Sequence, residues 1–166
     1  MEATRDVPEG ALAILRTGPG PDAAFDQAIP LLTVDEAGFP HVALLSRGQL
    51  RAGQDPAELL AAVWGPGTRA NLLARGRATV VLVSGQVAYY LKLTVVSTVE
   101  HAERLGVVLR LAGCTMDSAG VDLSPLGFRF SEDLAEREGW EADAQVLDLL
   151  EKQARPDSPE AAEPTG

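Results

Sequence analysis

The chain has 166 residues, 46% of them apolar, and a formal net charge of −10. That length supports one domain with a normal core. The acidity argues against a general nucleic-acid binder, which needs positive surface to displace phosphate counterions. No apolar run approaches the ~18–20 residues of a membrane-spanning helix, and the single cysteine, Cys114, rules out an intramolecular disulfide and argues against a cysteine-built metal site.

The start, Met1 to Asp6, carries acids and lacks the basic beginning and apolar stretch of a secretory signal, so a cytoplasmic location is expected. Residues 1–28 form an N-terminal segment. Within it Ala11 to Leu15 predicts one or two turns of helix, Gly18-Pro19-Gly20-Pro21 breaks regular structure, and Asp22 to Gln27 offers another short helical piece. From near Ile29 the pattern becomes β. Leu31 to Val34 and Phe39 to Ser46 are apolar runs joined by Asp35-Glu36-Ala37-Gly38, the signature of a hairpin.

Asp55 to Trp64 reads locally as a helix, with Asp at the cap, Pro at the first position and Glu three after the cap. A short helix follows over Thr68 to Arg75, with Leu72 and Leu73 expected on the core side and Gly76 as its stop. Ala78 to Val83 and Val87 to Val96 are two further extended runs. Val99 to Leu105 is polar enough for a turn, Val107 to Met116 predicts a long returning strand, and Asp117 to Gly120 another turn. Gly127 to Phe130 is expected as a last short strand. Ser131 to Lys152 is helical, best from Trp140 onward, where Ala144, Leu147, Leu150 and Trp140 share a stripe. The end, 153–166, is rich in Pro, Glu and Ala and predicts a disordered tail.

Charge is unevenly spread. Between Ser46 and Thr98 stand six bases and two acids, a local balance of +4 in a chain of −10. A basic island in an acidic protein suits one small anionic ligand better than a polymer. The plainer account is that these arginines solvate exposed edges. Within the island, Thr68, Arg69 and Asn71 follow Gly65-Pro66-Gly67 at a helix start. A hydroxyl, a guanidinium and free backbone N–H groups at such a point are what a phosphate needs, and Gly67 lets the backbone approach closely. The competing account makes Thr68 an ordinary N-cap and Arg69 a solvated first-turn residue, in a position the helix dipole disfavours. Cys114, inside an apolar strand, reads as a small buried hydrophobe. No Ser-His-Asp set and no metal-ligand spacing occurs, so no catalytic residue and no metal site is assigned.

Thr33-Val34-Asp35-Glu36-Ala37-Gly38-Phe39-Pro40-His41-Val42, then Thr68-Arg69-Ala70-Asn71-Leu72-Leu73, then Arg77-Ala78-Thr79 at the head of a strand, resemble the pyridoxamine 5'-phosphate oxidase-like superfamily of FMN-binding split barrels. The resemblance covers the middle of the chain. It implies a mainly β fold with short helices: a six- or seven-stranded antiparallel split β-barrel spanning 29–152, closed by a C-terminal helix. It places a strand, not a helix, at about Glu58 to Trp64, and we take the strand, because tertiary context often overrides propensity.

The resemblance further implies FMN as cofactor, a homodimer, and a flavin-dependent oxidoreductase of unknown substrate. In it Thr68 and Arg69 occupy the phosphate loop and the strand bearing His41 and Ser46 lines the flavin; Trp64, Lys92 and one of Tyr89 and Tyr90, which point to opposite faces of their strand, could flank the ring. The superfamily also contains non-catalytic dimers that bind a small ligand, and heme- and deazaflavin-binding proteins. These stand as the alternative, since a fold does not dictate a chemistry.

Overall fold

A computed structural model describes residues 6–16, 28–118, 120–121 and 139–153. The elements in chain order are α1 (Glu9–Arg16), β1 (Ile29–Val34), β2 (Pro40–Leu45), a 3-10 turn (Arg47–Gln49), β3 (Leu50–Ala52) and β4 (Glu58–Val63). Then come α2 (Pro66–Arg75), β5 (Arg77–Ser84), β6 (Val87–His101), β7 (Arg104–Ser118) and α3 (Trp140–Gln153). The seven strands form one antiparallel sheet in the order β2-β1-β5-β6-β7-β4-β3, curled into a half-barrel.

The β1–β2 hairpin forms around Gly38 at φ +90, with Asp35 Oδ1 accepting the Phe39 N–H at 2.8 Å. Inside the curl, Leu31, Val80, Leu91 and Leu109 meet Ala11, Leu12 and Leu15 of α1, which packs between β3 and β5. On the other side of β4 and β7, Leu60, Ala62 and Val108 meet Val146, Leu147 and Leu150 of α3.

β4 therefore lies between two cores, and this decides its conformation. Leu59, Ala61 and Val63 face inward while Leu60 and Ala62 face α3, so every residue after Glu58 is buried. A period-two strand can bury both faces between layers, whereas a helix of this length would leave β7 without a partner over six residue pairs. The Asp-Pro signature is used instead in a turn: Asp55 Oδ1 accepts the Ala57 N–H at 2.9 Å, and the Asp55 carbonyl accepts that of Glu58.

Several boundaries differ from expectation. The turn sought over Val99 to Leu105 shrinks to Ala102 and Glu103, both in the left-handed region at φ 46 and 63, because β6 and β7 pair to the end of the hairpin. Asp117 and Ser118 belong to β7. Leu73 is 57% exposed, so the core face of α2 is Thr68, Asn71 and Leu72. In α3 the buried stripe is Asp143, Val146, Leu147 and Leu150, with Ala144 only half-buried. The pieces expected at Asp22–Gln27 and Gly127–Phe130, the first part of the 131–152 helix and the tail lie outside the described residues, apart from Gln153 itself, which ends α3.

Candidate functional site

α2 starts two residues earlier than its sequence suggests. Gly65 is the N-cap, and Pro66 takes the first helical position, where its missing N–H costs nothing. Gly76, at φ 61, ends the helix and donates to the Leu72 carbonyl at 2.9 Å. Thr68 is thus inside the first turn rather than at the cap, and only 2% exposed.

With i, i+3 spacing, Thr68 and Asn71 both point down onto the β1–β2 hairpin. Thr68 Oγ1 shares a hydrogen bond of 3.2 Å with His41 Nε2. The Asn71 amide donates to Thr33 Oγ1 at 3.0 Å. Thr33 and His41 are direct cross-strand partners, so the four side chains form one polar seam. The His41 ring also lies against Gly67, where an added Cβ would stand 3.0 Å from Cε1. The glycine is there to admit the imidazole. His41 is a half-buried strand residue and part of this seam.

The neighbouring candidates are engaged elsewhere. The Arg69 guanidinium donates to Glu100 Oε1 at 3.1 Å and to the Glu103 carbonyl at 3.3 Å, tying α2 to the β6–β7 turn. Trp64 is 50% exposed, with the guanidinium of Arg104 over its ring at 5.1 Å from the centroid. Arg104 Nε in turn donates to the fully buried Asp143 of α3 at 2.7 Å. Ser46 is buried at the start of the 3-10 turn, with its N–H donating to Gln49 Oε1; five residues along from His41, it is roughly 16 Å away by strand rise. The structure therefore brings together His41, Gly67, Thr68 and Asn71. Arg69 and Trp64 border that group, and Ser46 and Lys92 do not join it.

Lys92 belongs to a second region, on the outer face of the sheet. Leu32 pairs with Thr79, and Thr79 with Lys92, so the three stand in one row. Thr33 is the next residue along β1 and points the opposite way, with His41. In the following row Arg77 pairs with Thr94. These rows floor an open groove of about 520 Å³, walled by Val34 and Pro40. A second recess of about 430 Å³, lined by Val34, Ala74, Arg75 and Arg77, adjoins it.

The charges along this face are unusual. Arg16, Arg51, Arg69, Arg104 and Arg110 each hold a carboxylate. Among the described residues Arg75, Arg77 and Lys92 have none within 4.0 Å. In a chain of −10, Arg77 and Lys92 in the groove and Arg75 in the recess beside it face no carboxylate among the described residues. Arg75 and Arg77 belong to the basic island between Ser46 and Thr98, where local sequence assigns them no role. The signal available was the alternation of Arg77, Thr79, Val81 and Val83 along one face of β5. Cys114 is half-buried, and burial pushes its thiol pKa up, as for an inert packing residue. The described residues contain no group of His, Cys, Asp or Glu arranged to hold a metal, and no helix long and apolar enough to cross a membrane.

No protein-family profile and no curated protein matches the chain. Solved structures do. An FMN-binding protein from Syntrophomonas wolfei subsp. wolfei superposes with a TM-score of 0.52 at 15% identity, over 66% of this chain and 85% of that one. HupZ of Group A Streptococcus gives 0.52 at 14% identity, over 71% and 99%. The fold is that of the FMN-binding split-barrel proteins. At such identities the likeness establishes the architecture and leaves the ligand to be argued from the site.

Proposed function

We propose that the protein binds FMN in the outer groove and acts as a flavin-dependent oxidoreductase. The observation that carries this is the pairing of an apolar groove with cations that lack carboxylate partners. Leu32, Val34 and Pro40 offer a flat apolar bed for a planar ring, and Arg77 with Lys92 offers charge for a phosphate. A volume near 520 Å³ lies within the range of cofactor sites. The residues present thus fit the group. Bound flavin would supply the electron chemistry, and the chain's part is to seat the ring, fix the phosphate and keep water off the ring face. This agrees with the lack of a catalytic constellation in the sequence. The FMN-binding Syntrophomonas protein, which shares the fold, supports the choice of ligand.

The groove is open to one side, and Val34, Val42 and Phe39 beside it are 44%, 53% and 68% exposed. A contiguous apolar rim of this kind favours a covering partner, and a second copy of the chain is the proposed cover. Sedimentation showing a compact monomer at micromolar concentration would remove the dimer.

The test of ligand is titration with FMN and with riboflavin, followed by flavin fluorescence. FMN is expected to bind more tightly, and the double variant Arg77→Gln/Lys92→Ala is expected to erase that preference. The second reading, a non-catalytic dimer binding another small ligand, draws on the polar seam under α2, where Thr68 and Asn71 are already satisfied. Failure of the wild type to bind either flavin would favour it, and the visible spectrum of the purified protein would then report heme or deazaflavin.

A further inference from the structure

The recess beside the groove adds Arg75 to the two cations assigned to the cofactor's phosphate. We infer that the recess between Arg75 and Arg77 is a second anion subsite, so that the protein takes a second phosphate or carboxylate group beside the cofactor's own. This extends the flavin reading above, and rests on it for the identity of the first anion.

Arg75 is anchored by the backbone of the β1–β2 hairpin. Its Nε donates to the Val34 carbonyl at 3.0 Å and its Nη2 to the Asp35 carbonyl at 2.7 Å. Those two bonds hold the guanidinium in place and leave Nη1 outside them, facing no carboxylate among the described residues. A guanidinium ordered in advance loses less freedom when it binds an anion. The helix dipole accounts for a cation in the last turn of α2. It does not account for Arg77, which opens β5 beyond the helix and lines the same recess. Arg75 and Arg77 line one recess, both exposed to solvent, and an anion held between them would offset their mutual repulsion. Because Arg77 and Val34 line both cavities, the recess lies directly beside the groove.

Two sources could supply the second anion: a tail on the cofactor itself, or a separate anionic co-substrate. Calorimetry with FMN, FAD and inorganic phosphate separates them. Two variants probe the recess. Arg75→Gln removes the charge and keeps an amide donor for the Asp35 carbonyl. Ala74→Glu puts a carboxylate into the recess and leaves the Arg75 bonds intact, so it remains informative if the first variant folds poorly.

If the anion is a tail, FAD, with its second phosphate, binds wild type more tightly than FMN, and both variants lower that preference on the order of tenfold. If it is a co-substrate, FMN-loaded protein binds phosphate, and both variants weaken that binding by a similar factor while FMN affinity moves less than about twofold. Variants that leave both measurements unchanged overturn the subsite. Should wild type bind no flavin, the proposed function falls, and phosphate titration of the ligand-free protein tests the subsite by itself: sensitivity to Ala74→Glu supports it, insensitivity overturns it.

Discussion

The start of α2 and the outer groove carry the same kinds of residue and use them in opposite ways. Around α2 every candidate has a protein partner: Thr68 has His41, Asn71 has Thr33, Arg69 has Glu100, and Trp64 has Arg104. Among the described residues Arg77 and Lys92 in the groove have no carboxylate, and Arg75 in the recess beside it is bound only to backbone carbonyls. A polar cluster bonded within the protein stabilises a particular packing, and here only the buried Arg69 Nε keeps no partner among the described residues of the cluster. An unsatisfied set of cations beside an apolar bed is poised for a ligand. The difference shows that residue type and local spacing identify a possible anion site, while partner choice decides whether it is available.

Substitutions in the two regions should therefore separate stability from binding. The largest effect is expected at Arg104→Ala, which leaves the fully buried Asp143 without the guanidinium that neutralises it. Breaking a buried pair from one side costs about 3–5 kcal/mol, visible as a large fall in the denaturation midpoint. A midpoint change of only a few tenths of that would mean the cluster near Trp64 is not structural.

In the groove the effect should appear in affinity instead. Arg77→Gln with Lys92→Ala should weaken FMN by roughly 10- to 150-fold, corresponding to charge-assisted bonds of about 1.5–3 kcal/mol. Stability should stay within about 0.5 kcal/mol, because both side chains are exposed. Riboflavin, without the phosphate, should be nearly unaffected. Equal losses for both flavins would place the cations at the ring and not at the phosphate.

Asn71→Ala should fall between these cases on the stability side. It strips the buried Thr33 hydroxyl of its donor, at a cost of about 1–3 kcal/mol, with FMN affinity unchanged. The smallest effect belongs to Arg69→Ala. Its ion pair with Glu100 is only partly covered, at 28% and 65% exposure for the two side chains, so about 0.2–1 kcal/mol of stability should be lost and FMN binding should change less than about twofold. This variant offers the sharpest way to break the comparison. A tenfold loss of FMN affinity would put the phosphate at the start of α2, with the ligand displacing Glu100 from Arg69.

Much of the architecture was written locally. The turn at Asp35 to Gly38, the stop at Gly76, the extended runs of β5 and β6, the short α1 and the helix from Trp140 all depend on backbone preference and apolar period within a few residues. Those signals survive in an isolated segment, and the sequence alone was enough to place them. The resemblance in the middle of the chain added the barrel, and with it the strand at β4.

What only the tertiary structure decided involves partners far along the chain. β4 is a strand because cores on both its faces bury Leu59 to Val63, against a helix-favouring composition. Leu73 turns outward because α2 lies on the hairpin through Thr68 and Asn71. Arg69 finds Glu100 from 31 residues away and Arg104 finds Asp143 from 39, while Arg75 and Arg77 meet no acid at all among the described residues. Local propensity acts over a few residues, whereas charge pairing is set by the curl that brings distant strands and helices together; the sequence could show where the cations are, and the fold determined which of them remain free to bind.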